Sequence, residues 1–481
     1  MPIEAQVVEE IAREVIARLR MQLQPSGSFQ ASAPAAASGR DGVFATVDEA
    51  VLAAWQAQKK VEAMTLEERA RMTGIIVRIC HDRREELGCM ELEETGVGRL
   101  DHKILKLTNM RFVQSVEVLR TEARTRSTGL CLVEHAPWGV IGMMLPVTHS
   151  VPTMASNAIN ILAAGNTAVF GPHPSGQKVA RYALQLWNRE IERELGVANV
   201  LTTTGEASIE AAGQIFNHPK VALLCVTGGT AVARAAAKSG KRVIAGGPGN
   251  PPVVVDETAD LDRAARCVVE GAAFDNNLLC IGEKEIFVVA SVASAFIQAM
   301  RRAGAFQLDA AAIERLSKAA FTYDGTGGGC ARAHLKKDLV GKDVAVLAAA
   351  AGVRVPPGVD LLFGETDENH PFVVEEQMMP FIPVVRVPDV DAAIAAAVRA
   401  EHGYGHTAII HTQNVETATR MARAINTTLF IQNAASPASL GVGGPGYFSH
   451  TIATPTGEGV TTPLTFTRER QIVVGNALRI V

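Results

Sequence analysis

Aromatic side chains are scarce in this chain, 5% of 481 residues, whereas glycine numbers 42. That imbalance implies many tight turns and close backbone approaches. No two of its seven cysteines have C-x-x-C spacing, the total is odd, and nothing resembles a secretory leader. A disulfide framework is thereby excluded, and free thiols in a reducing compartment are expected. No uninterrupted apolar segment is long enough to span a bilayer, so no membrane partner is expected. Charge is balanced, 46 Lys and Arg against 50 Asp and Glu, for a net −4. Without a basic excess, nucleic acid is not an expected partner either. A conventional nucleotide fingerprint is also missing. Gly441-Val-Gly-Gly-Pro-Gly446 matches G-x-G-x-x-G by letter, but no helix pattern follows it and Ser/Ala-rich sequence precedes it. Gly171-Pro-His-Pro-Ser-Gly-Gln-Lys178 misses a phosphate loop because Gln177 stands where lysine is needed.

What is present is long enough for two large domains. Residues 1–22 read as an amphipathic helix, with Ile3, Val7, Ile11 and Val15 recurring every fourth residue and Val8, Ile16 and Leu19 widening the stripe. Residues 23–42 are small, periodless and linker-like. A tethered helix that cannot bury its stripe alone reads as a docking peptide; its four glutamates argue against a transit peptide. From Thr46 to Leu119 the pattern is helical, with a capping-box start at Thr65-Leu-Glu-Glu68 and a long charged helix running through Arg84. Cys80 falls on a helix, and Cys89 follows Gly88, read as its stop. From Leu130 the texture becomes β/α alternation: strands at 139–146, 166–171, 200–203, 221–226 and 241–245, with helices between. That is a doubly wound, mostly parallel sheet. After the Gly/Pro-rich break at 245–252 the alternation resumes with Val253-Val-Val255, a helix over 261–274 and a strand over 285–289. Two α/β domains in tandem are predicted.

The residue that carries chemistry is Cys280, in Phe274-Asp-Asn-Asn-Leu-Leu-Cys-Ile-Gly-Glu-Lys284. An Asn-rich turn before it and an apolar, β-branched run after it put a thiol at a strand edge facing a cleft, with amide and N–H donors at hand. A nucleophilic thiolate requires such a setting. A blindly chosen cysteine is a small buried hydrophobe. That plainer reading suits Cys225 and Cys267, and Cys131 falls in a strand. Cys330, after Gly327-Gly-Gly329, is the runner-up nucleophile. Val226-Thr-Gly-Gly-Thr230 ends a buried strand and opens a helix, and it is the best local candidate for holding phosphates. His402, His406 and His411 are too separated by turn and strand to be read as a metal site, and no metal is expected. No Ser/His/Asp order stands out.

Taken together, 140–174, Gly246-Gly-Pro-Gly-Asn-Pro-Pro-Val-Val-Val-Asp256, 274–284, Glu401-His-Gly-Tyr-Gly-His406 and Thr451-Ile-Ala-Thr-Pro-Thr-Gly-Glu-Gly459 resemble the CoA-acylating aldehyde dehydrogenases. The resemblance is greatest to the propionaldehyde and acetaldehyde enzymes of bacterial microcompartments, and it covers nearly everything from residue 43 onward. It implies an aldehyde dehydrogenase-like α/β fold of two doubly wound domains with a β oligomerisation extension. The expected parts are a cofactor-binding domain over 43–245 with a hairpin at 121–138, a catalytic domain over 246–445, and a return segment with an oligomerisation strand over 446–481. It implies NAD and coenzyme A, with cofactor contacts at Thr148, His173, Thr227, Gly228, Gly247 and Glu376. Cys280 is the implied nucleophile, with His149 standing at the side-chain oxyanion position, in Pro146-Val-Thr-His-Ser150 where many relatives have Thr-Asn-Pro.

Hydrolytic relatives carry Glu-Leu-Gly-Gly where this chain has Ile244-Ala-Gly-Gly247, so the glutamate that activates water is absent. A thioester without that base outlives water and passes to the CoA thiolate. The implied reaction is oxidation of propionaldehyde or acetaldehyde to acyl-CoA through a Cys thioester. The implied partners are a second copy or copies of the chain, as dimer or tetramer, and a microcompartment shell protein met by residues 1–22. Two rivals are a hydrolytic aldehyde dehydrogenase, which Ile244 argues against, and a non-catalytic scaffold, which the intact Cys280 motif argues against.

Overall fold

A computed structural model describes residue 39, residues 41–323 and residues 333–478. The N-terminal helix, nearly all of its linker and Cys330 lie outside the described residues. Two reciprocal capping boxes start the helical region. Thr46 and Glu49 cap Val47–Ala63, and Thr65 and Glu68 cap Leu66–Asp82, each pair satisfying two backbone N–H groups that a helix start leaves unpaired.

The long charged helix expected through Arg84 is two helices. Leu66–Asp82 stops at Arg83, whose φ −106° and ψ 16° leave the helical region, and Arg84–Thr95 begins anew. Gly88 is not a stop and Cys89 does not follow one: both lie inside the second helix, which ends at Gly96 with φ +64°. Gly88 is there for its missing side chain. A Cβ on it would come within 3.2 Å of Ile104 Cγ1 on the neighbouring helix Leu100–Thr108.

The first sheet is wholly parallel, in the order Val43–Phe44, Leu201–Thr204, Thr167–Gly171, Val140–Met144, Val221–Thr227, Arg242–Gly246. The three central strands are largely apolar runs buried on both faces, as a sheet covered by helices on both sides requires, and Leu201–Thr204 buries three threonines beside them. The second sheet has seven parallel strands, with Pro252–Val255 flanked by Glu285–Val289 and Thr407–His411. A third, antiparallel sheet joins Glu122–Arg126, Gly129–Pro137 and Thr467–Gly475. Asn166 ties this extension to the first sheet. Its Oδ1 accepts the Trp138 and Gly139 N–H groups at 2.6 and 2.9 Å, and its Nδ2 donates to the Phe466 carbonyl at 2.9 Å.

One buried ion pair sets the helices that carry the first sheet's functional end. Lys103 Nζ donates to Glu91 Oε1 at 3.0 Å, and Glu91 Oε2 accepts the Val151 N–H at 2.9 Å, in the first turn of helix Ser150–Ala163. Both side chains are almost completely buried. Glu91→Leu leaves a buried ammonium and a buried N–H without partners, and an expected loss of about 3–5 kcal/mol follows. The double variant Glu91→Leu/Lys103→Met removes the stranded charge and is expected to recover most of that loss in denaturant melts.

Candidate active site

In the first sheet, strand Val140–Met144 has Thr167–Gly171 on one side and Val221–Thr227 on the other, so the connections run away in opposite directions. A crevice opens at the carboxyl ends of strands where order reverses in this way. Here it is a cleft of about 360 Å³. All eight residues singled out from sequence line it: Thr148, His149, His173, Thr227, Gly228, Gly247, Cys280 and Glu376.

The thiol reaches the cleft on a loop of unusual backbone. After helix Leu261–Ala273, Asp275, Asn276 and Asn277 take φ of +51°, +56° and +61°, a left-handed run that Asn and Asp tolerate better than other side chains. Their side chains hold the turn. Asn276 Nδ2 donates to the Gly341 carbonyl and Asp343 Oδ1, and Asn277 Nδ2 to the Glu283 carbonyl at 3.0 Å. Cys280 follows, partly exposed to the cleft. Burial first, and then the Glu376 carboxylate, push its thiol up to about 12; the Lys284 charge and the N–H groups of Cys280 and Ile281 oppose them. The resting group is a protonated thiol with thiolate-stabilising donors already in place.

His149 forms part of the wall. Lys106 Nζ donates to His149 Nδ1 at 3.0 Å and also contacts Asp275 Oδ2, and all three side chains are buried. Asp275 additionally accepts the Arg99 N–H at 2.8 Å. Burial, reinforced by the Lys106 charge, holds the His149 pKa well below the usual value, so the ring is neutral. With an ammonium on Nδ1, a neutral ring carries its proton on Nε2, which leaves an N–H donor on the imidazole's other side.

The cofactor end of the cleft is floored by backbone. A Cβ on Gly228 or Gly229 would meet nothing within 4 Å, so a ligand can approach the first N–H groups of helix Thr230–Ala237. Gly247 is crowded instead: a Cβ there would lie 2.7 Å from Pro455 Cγ. Thr227 Oγ1 is tied to Thr451 Oγ1 at 2.7 Å, and His173 Nδ1 accepts the Ser175 N–H at 3.1 Å. Glu376 is raised to about 7 by burial against the Lys284 charge. An open glycine floor, hydroxyls and a half-neutral carboxyl together fit a dinucleotide.

Several residues escaped the sequence reading. His450 lines the cleft and stands 5.4 Å from the His149 ring, and burial depresses its pKa to about 3. His406, weighed only as a metal ligand, sits beside the nucleophile: a Cβ on Gly249 would be 2.5 Å from the Cys280 carbonyl oxygen and 3.0 Å from His406 Cγ. His402 Nε2 instead donates to the Val374 carbonyl at 2.7 Å, and the three histidines form no ligand cluster among the described residues. Lys106 and Asp275 come from separate segments, so no spacing announced them. Ile244 is fully buried in the core with Leu223 and Cys225 and does not line the cleft.

Residues 32–310 match the model of the aldehyde dehydrogenase family. The chain is 42% identical over 479 residues to an acetylating acetaldehyde dehydrogenase of Salmonella typhimurium, covering 99% of each. A propionaldehyde dehydrogenase from the fucose utilisation microcompartment of Clostridium phytofermentans superposes with a TM-score of 0.88 at 37% identity, over 92% of this chain and 100% of that one. The Rhodopseudomonas palustris propionaldehyde dehydrogenase, solved with bound CoA and an acylated cysteine, does so with a TM-score of 0.88 at 40% identity, over the same shares.

Glu376 is the nearest carboxylate opposing the Cys280 thiolate. Glu376→Gln is therefore expected to lower the thiol's pKa and to speed iodoacetamide alkylation of Cys280 several-fold at pH 8, followed by mass spectrometry of the Cys280 peptide.

Proposed function

The chain belongs to the aldehyde dehydrogenase family, and from that membership we propose that it is an NAD-dependent, CoA-acylating aldehyde dehydrogenase for propionaldehyde or acetaldehyde. The observation that carries the proposal is a partly exposed Cys280 in the cleft, between backbone N–H donors and a glycine floor, together with Ile244, buried in the core, where the resemblance puts the water-activating glutamate of hydrolytic relatives. Bound NAD supplies the hydride acceptor, and CoA supplies the thiol that takes the acyl group.

As the Cys280 sulfur bonds to the aldehyde carbon, its proton passes to solvent in the cleft and negative charge builds on the former carbonyl oxygen. The Cys280 backbone N–H and the Nε2–H of a neutral His149 are the donors for that oxygen. With that acceptor bound, collapse of the oxyanion would release hydride from the carbon and leave a thioester on Cys280. Thr148, Thr227, Gly228 and Gly247 shape the cofactor's seat, His173 stands at its far end, and Glu376 stands beside the reacting face. The CoA thiolate then attacks the thioester carbon, and Cys280 leaves as thiolate.

The three-stranded extension supports assembly. Its strand Thr467–Gly475 exposes Val473 at 70% and Ile472 at 42%, apolar surface suited to covering by another copy of the chain, as a dimer or tetramer. Residues 1–22 serve as the docking segment for a microcompartment shell protein, which would place the enzyme in the cytoplasm within such a compartment and confine a reactive aldehyde.

With propionaldehyde and NAD, sustained NADH formation is expected only when CoA is present. Cys280→Ala is expected to abolish turnover while retaining the fold, and Cys330→Ala to leave it intact. Steady acid release without CoA would instead establish the hydrolytic alternative. Ile244→Glu places an unpaired carboxyl in a closed core, so loss of stability rather than gain of hydrolysis is expected. Residues 1–22 fused to a fluorescent protein should co-localise with shells, and their deletion should leave the kinetics unchanged; a deletion that collapses the oligomer would assign the helix a structural role.

A further inference from the structure

Lys284 is the buried charge that the chemistry above leaves without a task. It is fully buried. Lys103 and Lys106 pair with Glu91 and Asp275, whereas the Lys284 ammonium pairs with no carboxylate among the described residues. An ammonium has three hydrogens to donate and no lone pair. Its three acceptors are the Asn277 carbonyl at 2.8 Å, Asn277 Oδ1, and the Leu279 carbonyl at 3.0 Å. All are neutral, and all belong to the loop that carries Cys280. The lysine's own backbone is fixed from both sides: its N–H donates to the Pro251 carbonyl at 3.0 Å and its carbonyl accepts Gln377 Nε2 at 3.3 Å.

We infer that Lys284 is a positioning residue whose buried charge, locked by three hydrogen bonds onto the nucleophile loop, favours the Cys280 thiolate. The inference rests on the reading of Cys280 as nucleophile. The ionisable groups around the lysine are Glu283 and Glu285 on its own segment, Cys280 on the loop, Glu376 beyond helix Pro371–Val374, and His406 before strand Thr407–His411. Burial raises Glu283 and Glu376 to about 7, so each is about half ionised at neutral pH and offsets part of the lysine's charge, whereas Glu285 is raised well above its ordinary value and His406 is kept neutral. Burial also lowers Lys284 itself to about 8. It is charged at neutral pH, and its support for the thiolate fades as pH rises through that value.

A lysine that served only to staple the loop would give the opposite result on removal. A loosened loop would let water reach Cys280, drop its thiol toward the ordinary range and accelerate alkylation. Loss of a stabilising charge slows alkylation, about tenfold for each pH unit by which the thiol's pKa rises. The test is iodoacetamide alkylation of the full-length protein at pH 7.5, followed on the Cys280 peptide so that the other thiols do not contribute. Lys284→Met and Lys284→Gln are expected to react about tenfold or more slowly, and Lys284→Arg, which keeps the charge, to stay within about threefold of the unchanged protein. Faster, unchanged or less affected reaction in the neutral variants overturns the inference, as does equal slowing in the arginine variant.

Should the neutral variants fail to fold, the unchanged protein still decides. A buried charge is poorly screened, so raising salt from about 0.05 to about 1 M should leave the Cys280 rate within about twofold, whereas a larger slowing would assign the effect to exposed charges. Turnover by Cys280→Ala, measured in parallel, would overturn the nucleophile reading itself and is read separately from the alkylation rates.

Discussion

The carboxylate of Asp275 is the contact on which the site's geometry depends. It opens a left-handed turn, accepts the Arg99 N–H and meets Lys106, which in turn donates to His149. One buried acid thus joins helix Leu100–Thr108, the nucleophile loop and the start of helix Ser150–Ala163. The backbone conformation it begins is unfavourable for any residue with a Cβ, by roughly 1–2 kcal/mol for each left-handed position. Three such residues in a row persist only because the surroundings over-determine them. Asn276 and Asn277 supply amides to carbonyls across the turn, and Lys284 gathers the carbonyls that the turn directs inward.

The same enclosure sets the chemistry. A closed wall disfavours every charged form, so Cys280 rests as a thiol, His149 and His406 as neutral rings and Glu376 near its midpoint. A neutral His149 with Lys106 on Nδ1 keeps its proton on Nε2 without adding a charge that the cleft would have to solvate. A thiol at rest is spared alkylation by stray electrophiles, which matters for an enzyme whose substrate is itself one. The thiolate is then needed only at the moment of attack, when N–H donors and a nearby ammonium already stand in place.

Most of the architecture was legible in the chain because period and punctuation agree there. The apolar runs at 140–144, 221–227 and 285–289 are strands that no helix pattern contests, and the Thr65 capping box marks its helix start to the residue. Gly88 misled because glycine in a helical pattern means either a stop or a close approach, and only the position of Ile104, sixteen residues on, distinguishes them. Within the site, the eight residues named from sequence share one cleft; seven lie in quoted motifs beside strands, and Glu376 was named through the resemblance alone. Those that were missed act through charge and packing across distant segments. His406 belonged to a triplet that looked like metal chemistry, Asp275 and Lys284 lay inside a quoted motif without an evident task, and Lys106 lay in helix with nothing local to mark it.

Buried ions are an expensive way to hold a fold together. The Lys103–Glu91 pair, the Lys106–Asp275 pair and the unpaired Lys284 all forgo hydration, and well-packed apolar side chains of similar volume often stabilise a core at least as well. Their placement explains their presence. None is part of the apolar cluster of the second sheet, where Val253, Val255, Ile286 and Val288 pack together. Each touches a helix or loop that presents a residue to the cleft: Glu91 the start of helix Ser150–Ala163, Lys106 the ring of His149, Lys284 the loop of Cys280. Hydrogen bonds to ions fix direction as well as distance, which dispersion contacts do not. A reaction that must orient a thiol, an oxyanion and a hydride within fractions of an ångström gains from that directionality. The protein has concentrated its costliest interactions where apolar packing alone would leave the catalytic groups free to drift.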